Sequence, residues 1–188
     1  MKRFAAICKW SLLIWGAISL AGVIAITGLA AYQLTFGNRA KTDFASPHDV
    51  RFVLNWCNLG ESRTEKVVHS YRSSRSFTGD HLDAYAIKIT RISLEELSAT
   101  NAFFPTARWH RGDRLPAMLD DAVRFAAMFL GDGEAGEIPW FPKERNLRSD
   151  QFYVFPQSIY YYGGRPIEAD LIFVRPADKM LFYFSAKT

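Results

Sequence analysis

The chain has 188 residues, with 23 Lys and Arg against 19 Asp and Glu, two cysteines, 49% apolar residues and 15% aromatics. So apolar a chain is not disordered, and two cysteines cannot build a disulfide scaffold. Five of the basic residues (Lys2, Arg3, Lys9, Arg39 and Lys41) fall in residues 1–41 without a single acid, leaving 18 basic and 19 acidic residues from Thr42 onward; that remainder lacks the basic excess of a nucleic-acid-binding domain, so DNA and RNA are excluded as partners.

Trp10 to Tyr32 is a run of 23 uncharged residues. As a helix it reaches roughly 35 Å, enough to cross a hydrocarbon core of about 30 Å with some tilt. Trp10 and Trp15 near one end and Tyr32 at the other suit the interfacial belts, and Lys2, Arg3 and Lys9 precede the span. The expected layout is a cytoplasmic N-terminus (1–9), a transmembrane signal anchor (10–32), a polar linker (33–45) and an extracytoplasmic domain (46–188), periplasmic if the envelope is Gram-negative. Arg39 and Lys41 on the far side weaken the charge asymmetry. A cleaved signal peptide is the alternative, with small residues at Gly28, Ala30 and Ala31, but the apolar run exceeds the roughly 7–15 residues of an ordinary signal core. Cys8 and Cys57 would lie on opposite sides of the membrane, so they do not pair.

In the domain, Ser46-Pro47-His48-Asp49 announces a helix, with Ser as cap, Pro at the first helical position and an acid in the first turn. Val50, Val53, Leu54 and Cys57 then recur at i, i+3, i+4 and i+7, which is one buried stripe and makes Cys57 a buried thiol. Gly60 is placed to end that helix in a left-handed turn. Lys66 to Arg75 and Asp83 to Arg91 read as two strands of a hairpin. A three-residue loop at Thr78-Gly79-Asp80 pairs Tyr71 with Ile87, His69 with Ile89 and Arg75 with Asp83, gathering Val67, Tyr71, Tyr85, Ile87 and Ile89 on one side; a two-residue loop mixes the faces. His69 is then a hydrogen-bonded core histidine.

Ser93 and Glu96 form a capping box for a short helix through Leu97. Pro116 opens a longer helix whose apolar face runs through Leu115, Met118, Leu119, Ala122, Phe125, Ala126, Phe129 and Leu130, closed by Gly131. After a Gly- and Pro-rich loop, three aromatic-rich strands finish the chain at Gln151–Tyr161, Ile167–Arg175 and Met180–Ala186, with turns at Gly163-Gly164 and Pro176-Ala177-Asp178. The expected fold is therefore an N-terminal transmembrane helix plus one α+β domain, an antiparallel sheet made of a hairpin and a three-stranded meander, with helices covering one face.

Four segments carry possible chemistry. The hairpin end, residues 70–83, holds Ser74, Asp80, His81 and Asp83, the residue types of a Ser-His-Asp hydrolase, but it lacks the Gly-x-Ser-x-Gly elbow that such sites use. The same residues and His69 do not show the spacing of a metal site, and no cofactor motif is present. Arg111-Gly112-Asp113 is read as a turn and cap before the long helix rather than as an adhesion tripeptide. Trp140 and Phe141 in a Pro-bounded loop, with Phe103, Phe104 and Trp109, are the large apolar side chains most suited to anchoring a partner.

Three functions follow as expectations. The leading one is a single-pass anchored protein, with the bilayer as partner of Trp10 to Tyr32, whose domain binds another protein or an envelope component in an inhibitor, immunity-type or accessory role. The second is an anchored hydrolase using the 70–83 cluster. The third is an accessory subunit acting through its membrane helix, packed along Gly16, Ser19, Gly22 and Ala25.

Overall fold

A computed structural model describes residues 2–32, 37–98, 108–130 and 138–188. The chain divides into two compact units, Met1–Arg39 and Ala40–Thr188. In the first, helix α1 runs over Lys2–Tyr32, and its segment Trp10–Tyr32 is long and apolar enough to cross a membrane.

The second unit is a seven-stranded, wholly antiparallel sheet: β1 (Lys41–Thr42), β2 (Thr64–Arg72), β3 (His81–Ile89), β4 (His110–Arg111), β5 (Tyr153–Tyr162), β6 (Arg165–Arg175) and β7 (Met180–Lys187), in the spatial order β1-β2-β3-β7-β6-β5-β4. The hairpin β2–β3 and the meander β5–β6–β7 are thus joined through one long pairing, in which Ala84 faces Phe184 and Ile87 faces Leu181. The short edge strands β1 and β4 carry no pattern of their own, and β1 draws residues 40–45 out of the expected linker into the domain.

Helices cover both faces of the sheet, not one. Helices α4 (Ala117–Leu130) and α5 (Glu144–Leu147) pack through Leu119, Ala122, Val123, Phe125, Ala126 and Leu147 onto Ala84, Ala86, Leu171, Phe173, Phe182 and Phe184. On the opposite face, α2 (Arg51–Trp56) and α3 (Leu94–Ser98) bring Val53, Leu54 and Leu97 against Tyr85, Ile87, Ile172, Val174, Leu181 and Tyr183. The physical reason is in the central strands, where the unbroken apolar runs Leu171–Val174 and Leu181–Phe184 put large side chains on both sides of the pleat. Strands buried on two faces read as continuous apolar stretches rather than as alternation.

The local signals hold where the chain follows simple periodicity. Val50, Val53, Leu54 and Cys57 form one buried stripe. The capping box closes in both directions, Ser93 N–H to Glu96 Oε2 at 3.0 Å and Glu96 N–H to Ser93 Oγ at 3.2 Å. The helix at 46–57 is shorter than its cap suggests: residues 47–50 are a turn in which the Asp49 carboxylate accepts from both the N–H and the hydroxyl of Ser46, at 2.8 and 2.7 Å. Asn58, at φ 59°, takes the left-handed position directly after the helix, and Gly60 follows with a positive φ of 81°. The residue expected to close the long helix, Gly131, lies outside the described residues.

The hairpin register differs from expectation by three residues up to His69 and by four from Val67. Tyr71 pairs with Ala84, His69 with Ala86 and Val67 with Ile87, and the connection is residues 73–80 rather than a three-residue loop. Irregularities at Thr64/Lys66 and Val67/His69 change the parity within β2, so Val67 joins the α2 side while Tyr71 joins the α4 side. A β-bulge does this because one extra residue reverses the side-chain alternation. The longer connection is held by its own polar groups: Ser73 Oγ accepts from Leu82 N–H at 2.8 Å, and Ser76 Oγ accepts from Asp80 N–H at 2.8 Å.

Candidate functional site

The antiparallel register gathers four chain segments at one end of the sheet: the 73–80 connection, the β5–β6 turn at Gly163-Gly164, the last residues of β7 and the C-terminal part of α4. The turn is tight because both glycines have positive φ, 58° and 79°, directly between the paired Tyr162 and Arg165. Ordinary side chains are disfavoured there.

Two cavities open at this end. One, of about 740 Å³, is an apolar groove formed by Phe125, Met128 and Phe129 of α4 against Tyr162, Pro166 and Ile167, with Asp121, Arg124 and Arg165 at its margin. The other, of about 420 Å³, is polar, with Ser73, Ser74, Ser76, Asp80, His81, Arg75 and Lys187 around it. They adjoin, since Phe129 and Thr188 line both. Met128 and Tyr162 are largely exposed, and Phe77 at the tip of the connection is wholly so.

The polar cavity contains three of the four residues expected for a hydrolase, but not as a triad. His81 donates from Nδ1 to the Gly79 carbonyl at 2.9 Å, and its Nε2 lies in hydrogen-bond contact with Ser185 Oγ at 3.0 Å. The hydroxyl beside His81 is therefore that of Ser185, from the far end of the chain, and not Ser74. Asp80 accepts from Thr78 Oγ1 at 2.7 Å, and that bond with the one to Ser76 holds its carboxyl below the usual range. Asp83 is bound by Arg75 at 2.7 Å. Ser70 Oγ is occupied as acceptor of the Phe44 and Ala45 N–H groups, at 2.8 and 3.1 Å.

Beneath the cavity a polar row crosses the sheet, with Arg72 paired to Asp83, Asp83 to Ser185, Ser185 to Asp170 and Asp170 to Ser158. Asp170 accepts from Tyr183 at 3.0 Å and from Ser158 at 2.6 Å. Burial, followed by the Asp170 charge, pushes the Tyr183 hydroxyl well above the usual phenol range.

The described aromatic anchors expected from the sequence, Trp109, Trp140 and Phe141, line neither cavity. Phe141 is buried against Phe173 and Phe182, and Trp109 against Phe155. Trp140 is half-buried and stacks on His69 at 5.3 Å, where His69 also meets Asp43 at 3.4 Å, so His69 is a partly exposed surface residue rather than a core one. Phe103 and Phe104 lie outside the described residues. Arg111 and Asp113 chelate one another at 2.5 and 2.6 Å around a buried Gly112. Among the described residues, no group of three or more His, Cys, Asp or Glu side chains is placed to hold a metal ion.

Comparison of the chain with protein-family models, with curated proteins and with solved structures returned no match.

Of the residues of the apolar groove, the sequence singles out Tyr162 alone, as part of the Tyr160-Tyr161-Tyr162 run beside Gly163-Gly164 that reads as a recognition rim or a sheet edge. Phe125, Met118 and Phe129 read there as the apolar face of the long helix, and Met128, Arg165 and Lys187 carry no signal of their own. The available signal was the exposed end of a helical apolar face that is broader than a single sheet contact requires.

Proposed function

We propose that this chain is a single-pass membrane-anchored binding protein whose domain lies outside the cytoplasm and recognises another protein or an envelope component. The observation that carries this reading is the pair of adjoining cavities at one end of the sheet, one apolar and one polar. A concave apolar surface with a few convergent polar groups is the ordinary form of a ligand site. The anchor reading rests on the Trp10–Tyr32 helix, and the orientation on Lys2, Arg3 and Lys9 preceding it.

The test is capture from an envelope extract with the tagged full chain in lipid nanodiscs, comparing wild type with Tyr162→Asp and Trp140→Ala. A stoichiometric partner lost from Tyr162→Asp and kept by Trp140→Ala supports recognition at the sheet end. Loss from Trp140→Ala alone moves the contact to the 138–142 loop, and no specific partner or ligand refutes the reading.

The Ser185–His81 contact supports a second reading, an anchored hydrolase with Ser185 as nucleophile and His81 as base. Labelling by a fluorophosphonate probe, abolished in Ser185→Ala, is its expected signature. Equal labelling of both proteins removes it.

A further inference from the structure

We propose that the sheet end carrying Phe77 and Tyr162 docks on the surface of the lipid bilayer, with those two side chains entering its interfacial layer. The inference rests on the anchored binding reading above and takes the envelope component to be the bilayer itself. Two independent observations meet at this end. The first is where the chain enters the domain. Lys41 pairs with Arg72 and Thr42 with Tyr71, so the residues before β1 leave past the same strand end as the 73–80 connection. That exit is fixed: Asp43 N–H donates to Ser70 O at 2.7 Å, Phe44 N–H donates to Ser70 Oγ at 2.8 Å, and the Arg72 guanidinium lies 4.7 Å over the Phe44 ring. Only residues 33–40 separate Lys41 from Tyr32, the last residue of the apolar span, a reach of roughly 30 Å at full extension. Strands β3 and β6 have 9 and 11 residues, which at about 3.3 Å each make the sheet itself roughly 30–36 Å long. The opposite end, at Pro176–Asp178, is therefore a full strand length farther from the tether.

The second observation is the distribution of exposed apolar side chains. Among the described residues of the domain, the three most exposed large ones are Phe77 at 100%, Tyr162 at 79% and Met128 at 69%, and all three stand at this end. Phe77 is presented by a braced loop, in which Ser76 N–H donates to Asp80 O at 3.0 Å and Asp80 N–H to Ser76 Oγ at 2.8 Å. A ring held wholly in water contributes nothing to the core, whereas Phe and Tyr rings are favoured in the interfacial layer of a membrane. The cations of this end are answered by carboxylates, Arg75 by Asp83 at 2.7 Å, Arg124 by Asp120 at 3.0 Å and Lys187 by Glu168 at 3.6 Å. The attraction is thus apolar, and zwitterionic lipid suffices.

The experiment uses the full chain in phosphatidylcholine nanodiscs, in a Cys8→Ser background, with an environment-sensitive fluorophore on Ser74→Cys or, at the opposite end, on Ala177→Cys. Lipid carrying a spin label near the head-group end of its acyl chain quenches whichever fluorophore lies against the bilayer. Expected is quenching of the label at position 74 and not of that at 177. Phe77→Asp should lower the ratio of docked to undocked domain on the order of tenfold, the worth of one aromatic ring returned to water. Tyr162→Asp should lower it in the same direction. Both rings are exposed, so neither change threatens the fold.

Equal quenching at the two positions overturns the proposal. So does quenching at 74 that neither substitution reduces, because the tether alone would then set the orientation. Quenching that appears only when phosphatidylglycerol is added also overturns it, since the contact would then be electrostatic. A stoichiometric protein partner on a domain that shows no quenching at 74 would overturn this inference alone and leave the binding reading standing, and the absence of both would refute the two together.

Discussion

Gly112 sits in the middle of an Arg-Gly-Asp sequence, and its substitution by Ala separates a local structural role from a recognition role. A Cβ at this position would stand 2.2 Å from the Leu147 carbonyl oxygen and 2.6 Å from that of Ser149. Both are backbone atoms of α5 and the turn after it, and Gly112 N–H is itself tied to Phe152 O at 2.8 Å. No side-chain rotation relieves the clash, so either β4 or the end of α5 must move by about an ångström. Overpacking of this kind costs roughly 1–3 kcal/mol, and a clash with rigid backbone on two sides belongs at the upper end, about 3 kcal/mol. In a domain of this size each kcal/mol moves Tm by about 2–4 °C, so Gly112→Ala should melt roughly 6–12 °C below wild type. The control is Asp113→Ala, which removes a surface ion pair of the kind that contributes little to stability and should leave Tm close to wild type. Melting of the full chain in detergent, followed by near-UV circular dichroism, reads both. An unchanged Tm for Gly112→Ala would show that the approach of α5 to β4 is not as described, and would reopen the tripeptide as a surface motif.

Phe141→Ala should cost about 3–5 kcal/mol in urea unfolding, because its ring is buried against Phe173 and Phe182. The adjacent Trp140→Ala should cost distinctly less, and equal midpoints for the two would contradict the packing of this loop. The hydrogen bond from Arg63, helped by Ser93, holds the Glu96 carboxyl down at about 2. Its folded value lies below the unfolded one, so its stabilisation is complete above about pH 4.5 and is lost as pH falls through 2. With 37% of the side chain exposed, that contribution is of order 1 kcal/mol. Glu96→Gln should therefore melt below wild type at pH 7 and converge with it near pH 2; a gap independent of pH would refute the assignment. Burial pushes the Cys57 thiol up to about 12. In a Cys8→Ser background it should resist iodoacetamide at pH 8 until the domain is denatured, whereas prompt native alkylation would place it at the surface.

Periodicity made the α2 stripe, the Ser93–Glu96 box, α4 and the last three strands legible, because each is specified by residues only a few positions apart. The hairpin register was not, although β2 and β3 were themselves recognised. The offset is set in the connection, where residues 73–80 leave the strands although the Thr78-Gly79-Asp80 signal suggests a three-residue loop, and the irregularity at Val67/His69 then shifts the pairing by one more residue with no Gly or Pro to mark it. Two-sided burial was missed for a related reason. The runs Leu171–Val174 and Leu181–Phe184 were read as strand composition, when their lack of alternation is the signature of a sheet with helices on both faces. The strands β1 and β4 span two residues each, too few to carry any period.

The same geometry explains why the sheet end, and not a motif, carries the candidate site. The central strands are covered by α4 and α5 on one side and by α2 and α3 on the other, so the middle of the sheet has no open face to offer. What remains accessible is where the strands stop. There the chain brings together the 73–80 connection, the C-terminal part of α4, the β5–β6 turn and the end of β7, which are far apart in sequence. Polar density drew attention to Ser74, Asp80 and His81, and these do line the polar cavity, but the partner of His81 is Ser185, 104 positions away. A site assembled from strand ends is specified by topology. Its residues become neighbours only once β3 has paired with β7, and that long-range pairing is the step that local patterns leave open.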